Sequence, residues 1–142
     1  MAAKDDFIAP LLSFDYCGRI PDAAEFARKN RVLLIQSPHG IPIDIAFGGL
    51  PFEERLVDRS SLFEFEAGYA LRTCSAEDLM VQKLFAFRER DVLDVKTVVV
   101  RQRGRLDWDY MEEQLGPLAE LKGQREIMEE FAMLRQRSTF TD

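Results

Sequence analysis

The stretch from Ser75 to Val100, SAEDLMVQKLFAFRERDVLDVKTVVV, most constrains what this chain can fold into. Ser75 offers a capping oxygen to a helix start, and Glu77 and Asp78 put negative charge at the positive end of the helix dipole. Leu79, Met80, Leu84 and Phe87 then recur at helical spacing, with Val81 and Phe85 widening the stripe. Lys83 breaks the pattern. At 3.6 residues per turn it falls between Leu79, Met80 and Phe87, on the apolar face. If the helix runs on, Arg90 and Asp94 share that face, and Asp91 and Asp94, three apart, are surface neighbours. The expectation is a mixed-charge cluster that packing alone does not require.

Two readings of the cluster stand side by side. In one, Lys83 snorkels: it buries its stem and sends its ammonium to water or to Asp94. In the other, a rigid helix holds a cation near a bound phosphate or carboxylate, because charge neutralisation is most of phosphate catalysis.

Upstream, residues 2–13 read as a short or kinked helix carrying Pro10, with Asp5 and Asp6 in a solvated first turn. A short strand over Phe14–Cys17 precedes the Gly18 turn, and Pro21-Asp22 opens a helix to Asn30. Arg31–Gln36 and Ile41–Phe47 are apolar runs joined by Ser37-Pro38-His39-Gly40, the pattern of a β-hairpin. The only histidine, His39, reads as a turn residue. Pro51 starts another helix with Glu53 and Glu54 in its first turn. Leu62–Glu66 and Tyr69–Thr73 alternate around Ala67-Gly68, giving a strand pair or one strand with a bulge. The basic run RQRGR after Val100 reads as a solvated helix end. Asp107 caps a helix expected to end near Leu115-Gly116-Pro117, and Leu118–Arg137 forms a last amphipathic helix interrupted by Gly123. The tail from Ser138 is expected to fray.

Asp44 is the second outlier. On a strand, Ile41, Ile43 and Ile45 share one face, and Pro42, Asp44 and Ala46 the other. Either that face is solvated on a one-sided sheet, or the carboxylate projects from a rigid strand as a metal ligand or general base. Gly48-Gly49 follows, allowing close backbone approach or simply a strand-to-helix turn.

The bulk composition narrows the function classes. A length of 142 residues, 46% apolar and 31% charged, describes one ordinary globular domain. Within it, residues 1–104 form an α/β part and 105–142 a pair of C-terminal helices. Lys and Arg number 19 against 25 acids, a net charge of −6, which argues against a broad nucleic-acid surface. No apolar run reaches the ~20 residues needed to span a bilayer, so a membrane is not among the expected partners. Cys17 and Cys74 read as free, buried thiols in a reducing cytoplasm.

The order of these features carries a resemblance. An apolar strand with a central acid, IPIDIAF, is followed by Gly-Gly-x-Pro-Phe-Glu-Glu, a strand pair, and then S-x-E-D-L-x-x-x-K-L-x-A-x-R-x-R-D-x-x-D-V. Over Ile41–Val99 this resembles the C-terminal two-thirds of the nucleotidyltransferase superfamily, of the minimal and AbiEii-type toxin kind. The resemblance implies Mg²⁺-dependent transfer of a nucleotidyl group from an NTP to a hydroxyl. It would make Asp44 the strand carboxylate of the metal site and Lys83 the helix lysine that meets the nucleotide phosphates or assists the reaction. Arg88 or Arg90, with Asp91 and Asp94, would support the site.

The family's Gly-Ser turn and Asp-x-Asp strand have no counterpart here. The chain starts as if the first strand–helix–strand unit were missing, and one carboxylate cannot hold a two-metal site. The expectation is a truncated nucleotidyltransferase-like α+β domain, with a small mixed or antiparallel sheet, packed helices and a helical C-terminal third. Such a chain would not transfer nucleotides alone. The alternative is a non-catalytic binding or regulatory domain, of toxin–antitoxin type or an oligomeric module. Expected partners are a nucleotide and a second copy, met through an unpaired sheet edge or the C-terminal helices.

Overall fold

The computed structural model describes residues 2–102 and 104–138, without the side chains of residues 2–5. The Asp5 side chain, Arg103 of the basic run and the tail beyond Ser138 therefore lie outside the described residues. The fold is mixed α+β, with small antiparallel sheets and a helical C-terminal region. Two compact units divide it, Met1–Leu50 and Pro51–Asp142.

The first unit contains α1 (Ala2–Ser13), β1 (Cys17–Gly18), α2 (Ala23–Asn30), β2 (Val32–Gln36) and β3 (Pro42–Ala46). Its sheet runs β1-β2-β3, antiparallel throughout. The expected hairpin forms in the register Leu33↔Ile45 and Ile35↔Ile43. Gly40 closes its turn at a φ of 78°, donating its N–H to the Ser37 carbonyl at 2.9 Å. That left-handed backbone favours glycine because a Cβ would crowd the next carbonyl. Strand alternation sorts the faces: Leu33 and Ile35 are buried, Ile43 and Ile45 half-buried, and Pro42, Asp44 and Ala46 exposed. Ala23 and Ala27 of α2 and Ile8 of α1 complete this core. The small alanines let α2 lie close on β2.

The second unit runs α3 (Pro51–Arg59), β4 (Ser61–Glu66), β5 (Tyr69–Thr73), α4 (Ala76–Ala86), α5 (Glu89–Gln102), α6 (Trp108–Lys122) and α7 (Glu126–Ser138). β4 and β5 form an antiparallel pair with a bulge between Glu64 and Glu66. Ser75 caps α4, accepting the Asp78 N–H at 3.1 Å, and Asp107 caps α6, accepting the Tyr110 N–H at 3.0 Å. The core gathers Met80, Val81 and Leu84 of α4, Val95 of α5, Met111 and Leu115 of α6, and Ile127 and Phe131 of α7.

Besides the first strand, which is Cys17–Gly18 rather than Phe14–Cys17, three expectations are corrected. The helix does not run on past Phe87. Phe87 takes a left-handed φ of 57° and ends α4, its N–H donating to the Lys83 carbonyl at 2.9 Å, before α5 begins at Glu89. Lys122 of α6 reinforces this end, donating to the Phe85 and Ala86 carbonyls at 2.6 and 3.1 Å. These carbonyls are among the acceptors a helix C-terminus leaves without partners. Secondly, α6 continues through Gly116-Pro117 to Lys122, ended by Gly123. Pro117 removes one helical donor, but buried Met111 and Leu115 on one side and Leu118 and Ala119 on the other hold the helix to the core. Thirdly, Cys17 is exposed on β1, although both cysteines are free thiols.

Core and surface positions on neighbouring helices give a direct check. Leu84 is fully buried, whereas Leu93 is 64% exposed. Leu84→Ala is expected to destabilise the protein by about 2–5 kcal/mol and Leu93→Ala by less than about 0.5 kcal/mol, measured by denaturant unfolding.

Candidate functional site

The fold-back at Phe87 makes the site in the second unit. Lys83 and Asp94 are 11 positions apart, which on a straight helix is a rise of about 16 Å. Because α5 turns back on α4, the Lys83 ammonium instead donates to Asp94 Oδ2 at 2.6 Å and to Asp91 Oδ1 at 3.5 Å. Arg88 then grips the same Asp91 with two donors, Nε to Oδ2 at 2.5 Å and Nη2 to Oδ1 at 3.2 Å. Two cations thus share one carboxylate that is only 5% exposed. Lys83 is itself 24% exposed, its stem in the apolar stripe and its head at the cluster's open side with Asp94.

Electrostatics fix the protonation states. The hydrogen bond to Asp94 holds the Lys83 pKa above its ordinary value against the opposing effect of desolvation. Arg88, bonded to Asp91, is likewise raised. The Arg88 hydrogen bond, with its charge and that of Lys83, holds the Asp91 carboxyl below its ordinary value. The cluster therefore favours the charged form of Lys83. The arrangement can hold or exchange an anion; it is not built to shuttle protons.

Of the six residues singled out by sequence, Lys83, Arg88, Asp91 and Asp94 come together. Arg90 is exposed on the first turn of α5 and, among the described hydrogen bonds, does not join them. Asp44 belongs to the first unit. It sits on the exposed face of β3, 65% exposed, with its carboxylate against the Arg19 guanidinium. His39 is exposed at the hairpin turn.

A resident Mg²⁺ asks for several oxygen ligands in near-octahedral geometry. Among the described residues no three His, Cys, Asp or Glu side chains gather to hold a metal ion. Asp44 faces Arg19, and Asp91 and Asp94 face Lys83 and Arg88. This donor set, as it stands, does not fit a dedicated Mg²⁺ site.

Sequence reasoning missed a second polar cluster in the same unit. Asp78 is fully buried. It accepts from the Tyr110 hydroxyl at 2.6 Å, the Ser75 hydroxyl at 2.9 Å and Arg59 Nε at 3.4 Å. The Arg59 guanidinium also lies 4.1 Å from the Tyr110 ring centroid, a cation–π contact. Burial, then the bond to Asp78, pushes the Tyr110 phenol up to about 12. Burial and the Asp78 charge also raise the Cys74 thiol. The only local hint was the three-residue spacing of Ser75 and Asp78, a variant of the capping box; nothing near Tyr110 or Arg59 pointed to them.

No protein-family model matches the chain, and no curated protein matches it in sequence.

The depressed Asp91 carboxyl has a pH consequence. Its stabilisation is complete above the ordinary carboxyl value of 3.8 and drains as pH falls through the depressed folded value. Asp91→Asn cannot ionise. It is therefore expected to be less stable at neutral pH and to lose less further stability on acidification below 3.8 than the parent chain, as read from urea midpoints across pH.

Proposed function

We propose that this chain is a nucleotidyltransferase-like domain that binds a nucleotide through its phosphates at the α4–α5 cluster. The observation carrying this reading is the convergence of Lys83, Arg88, Asp91 and Asp94, four residues of the Asp-Leu-x-x-x-Lys and Arg-x-Arg-Asp-x-x-Asp runs, on one helix–helix junction. The element order adds support: an acid-bearing strand, a Gly-Gly turn into α3, a strand pair, and a Ser-capped helix follow one another as the resemblance implies. A bound phosphate would take over Lys83 from Asp94, the more exposed of its two carboxylates, while Asp91 keeps Arg88. Arg90, exposed on the first turn of α5, is the further cation available to the ligand.

Binding is the function assigned, rather than turnover. Nucleotidyl transfer needs metal-held phosphates, and Asp44 is one carboxylate where such a site needs several. Mg²⁺ would then arrive with the nucleotide, which supplies most of its ligands.

A second reading is a non-catalytic interaction module, of toxin–antitoxin or oligomeric type. The specific observation favouring it is the β4–β5 pair, in which every residue of both strands is exposed, Leu62, Phe63, Phe65, Tyr69 and Leu71 included.

Titration calorimetry with ATP and CTP, with and without Mg²⁺, separates the two. The nucleotide reading expects Mg²⁺-dependent binding that Arg90→Ala weakens about tenfold, with folding unchanged because that side chain is exposed, and that Asp44→Ala, which alters the other unit, leaves unchanged. Absence of heat for every nucleoside triphosphate at millimolar concentration would overturn it.

A further inference from the structure

We infer that a second copy of this chain pairs with the free edge of β5, in an antiparallel register centred on Leu71. The inference rests on the β4–β5 pair alone and is independent of nucleotide binding.

The pair has an apolar side and a polar side. Phe63 lies directly opposite Leu71, so the two share a face, and Tyr69, two residues from Leu71, is on that face too. Phe65, beside the bulge, brings its ring to 6.4 Å from that of Tyr69. Phe63, Phe65, Tyr69 and Leu71 are each 55–63% exposed. Leu62, Glu64, Ala70 and Arg72 occupy the other side. Four contiguous exposed apolar residues mark an interaction surface rather than ordinary scatter. A lone two-stranded hairpin is also marginal in water; three or more strands make such a sheet stable.

The two edges differ in what they can accept. β4 carries Glu64 and Glu66. Antiparallel self-pairing along most of β4 sets Glu64 against another Glu64 or against Leu62, and like charges directly opposite destabilise a sheet. Acidic side chains of this kind block an edge. β5, Tyr69–Thr73, holds no acid, and its middle residue is Leu71. Centred there, all five residues pair: Leu71 with its own copy, Ala70 with Arg72, Tyr69 with Thr73. No like charges meet, and Tyr69 with Thr73 is an aromatic–β-branched pair of the favourable kind. The result is four strands with an unbroken cross-strand row, Phe63–Leu71 from one copy and Leu71–Phe63 from the other. A two-fold axis through Leu71 makes the contact self-complementary and closed.

The test reads mass and cross-linking together. Light scattering on the intact chain is expected to give twice the single-chain mass at high micromolar concentration. Leu71→Lys, which opposes two ammonium groups at the axis, is expected to return it to a single chain with unchanged circular dichroism. Residues directly opposite in an antiparallel pair have Cα atoms about 4.5–5.5 Å apart, within disulfide reach. In a Cys17→Ser, Cys74→Ser background, Leu71→Cys is therefore expected to oxidise to a covalent dimer, and Glu64→Cys, on the far strand, is not. A single-chain mass for the parent throughout the concentration range would overturn the inference. So would a dimer indifferent to Leu71→Lys, or one that Glu64→Cys cross-links as readily as Leu71→Cys.

Discussion

One carboxylate shared by two cations organises the C-terminal unit. Asp91 takes Arg88 from the turn just before α5 and Lys83 from α4, so the start of α5 is fastened back along α4. The fold-back requires Phe87 to adopt a left-handed backbone, which for a residue with a Cβ costs about 1–2 kcal/mol. What offsets that cost is the ion cluster on one side of the junction and Lys122 on the other, where it occupies the last α4 carbonyls. The turn in turn lets Val95 of α5 join Met80, Val81 and Leu84 in one core. Local strain, electrostatics and burial here agree on one geometry, the consistency expected of a sequence that specifies its fold.

The same fastening limits the chemistry. A lysine with two carboxylate partners is a poor base and a good fixed charge. The cation is already positioned and partly desolvated, where electrostatic interactions are stronger than in water. Of its two partners, Asp94 is 46% exposed and Asp91 is 5% exposed. The Lys83 head and Asp94 thus lie at the open side of the cluster, while the local Arg88–Asp91 pair braces Asp91 behind them. Snorkelling by Lys83 is how the clamp is made.

Much of this was legible in the sequence. Period-two alternation around Ser37–Gly40 specified the first hairpin, and Ser75 and Asp107 marked their helix starts through side-chain caps. The lysine in an apolar stripe pointed to water or to Asp94, and it meets Asp94. What failed was the route between them. A helix end is ordinarily signalled by glycine, asparagine or a following proline, and the LFAFRER run has none of these. Conversely Gly116-Pro117 gives a strong stop signal that packing overrides. Both errors have one source: a local backbone preference of about 1–3 kcal/mol yields to burial of several large side chains. The Asp78–Tyr110–Arg59 cluster was illegible for another reason. Its members lie on three helices 19 and 32 positions from Asp78, and no local pattern links positions so far apart.

The claim that Lys83 and Asp94 are coupled across the turn can be measured by a double-mutant cycle. Lys83→Met, Asp94→Asn and the double variant are compared with the parent chain by urea unfolding at neutral pH. The account predicts a favourable coupling clearly above experimental error, shrinking but not vanishing at high salt because Lys83 is partly buried. Additive single effects, with no coupling at low salt, would mean that the Lys83–Asp94 pair does not help hold α5 to α4 and would contradict it.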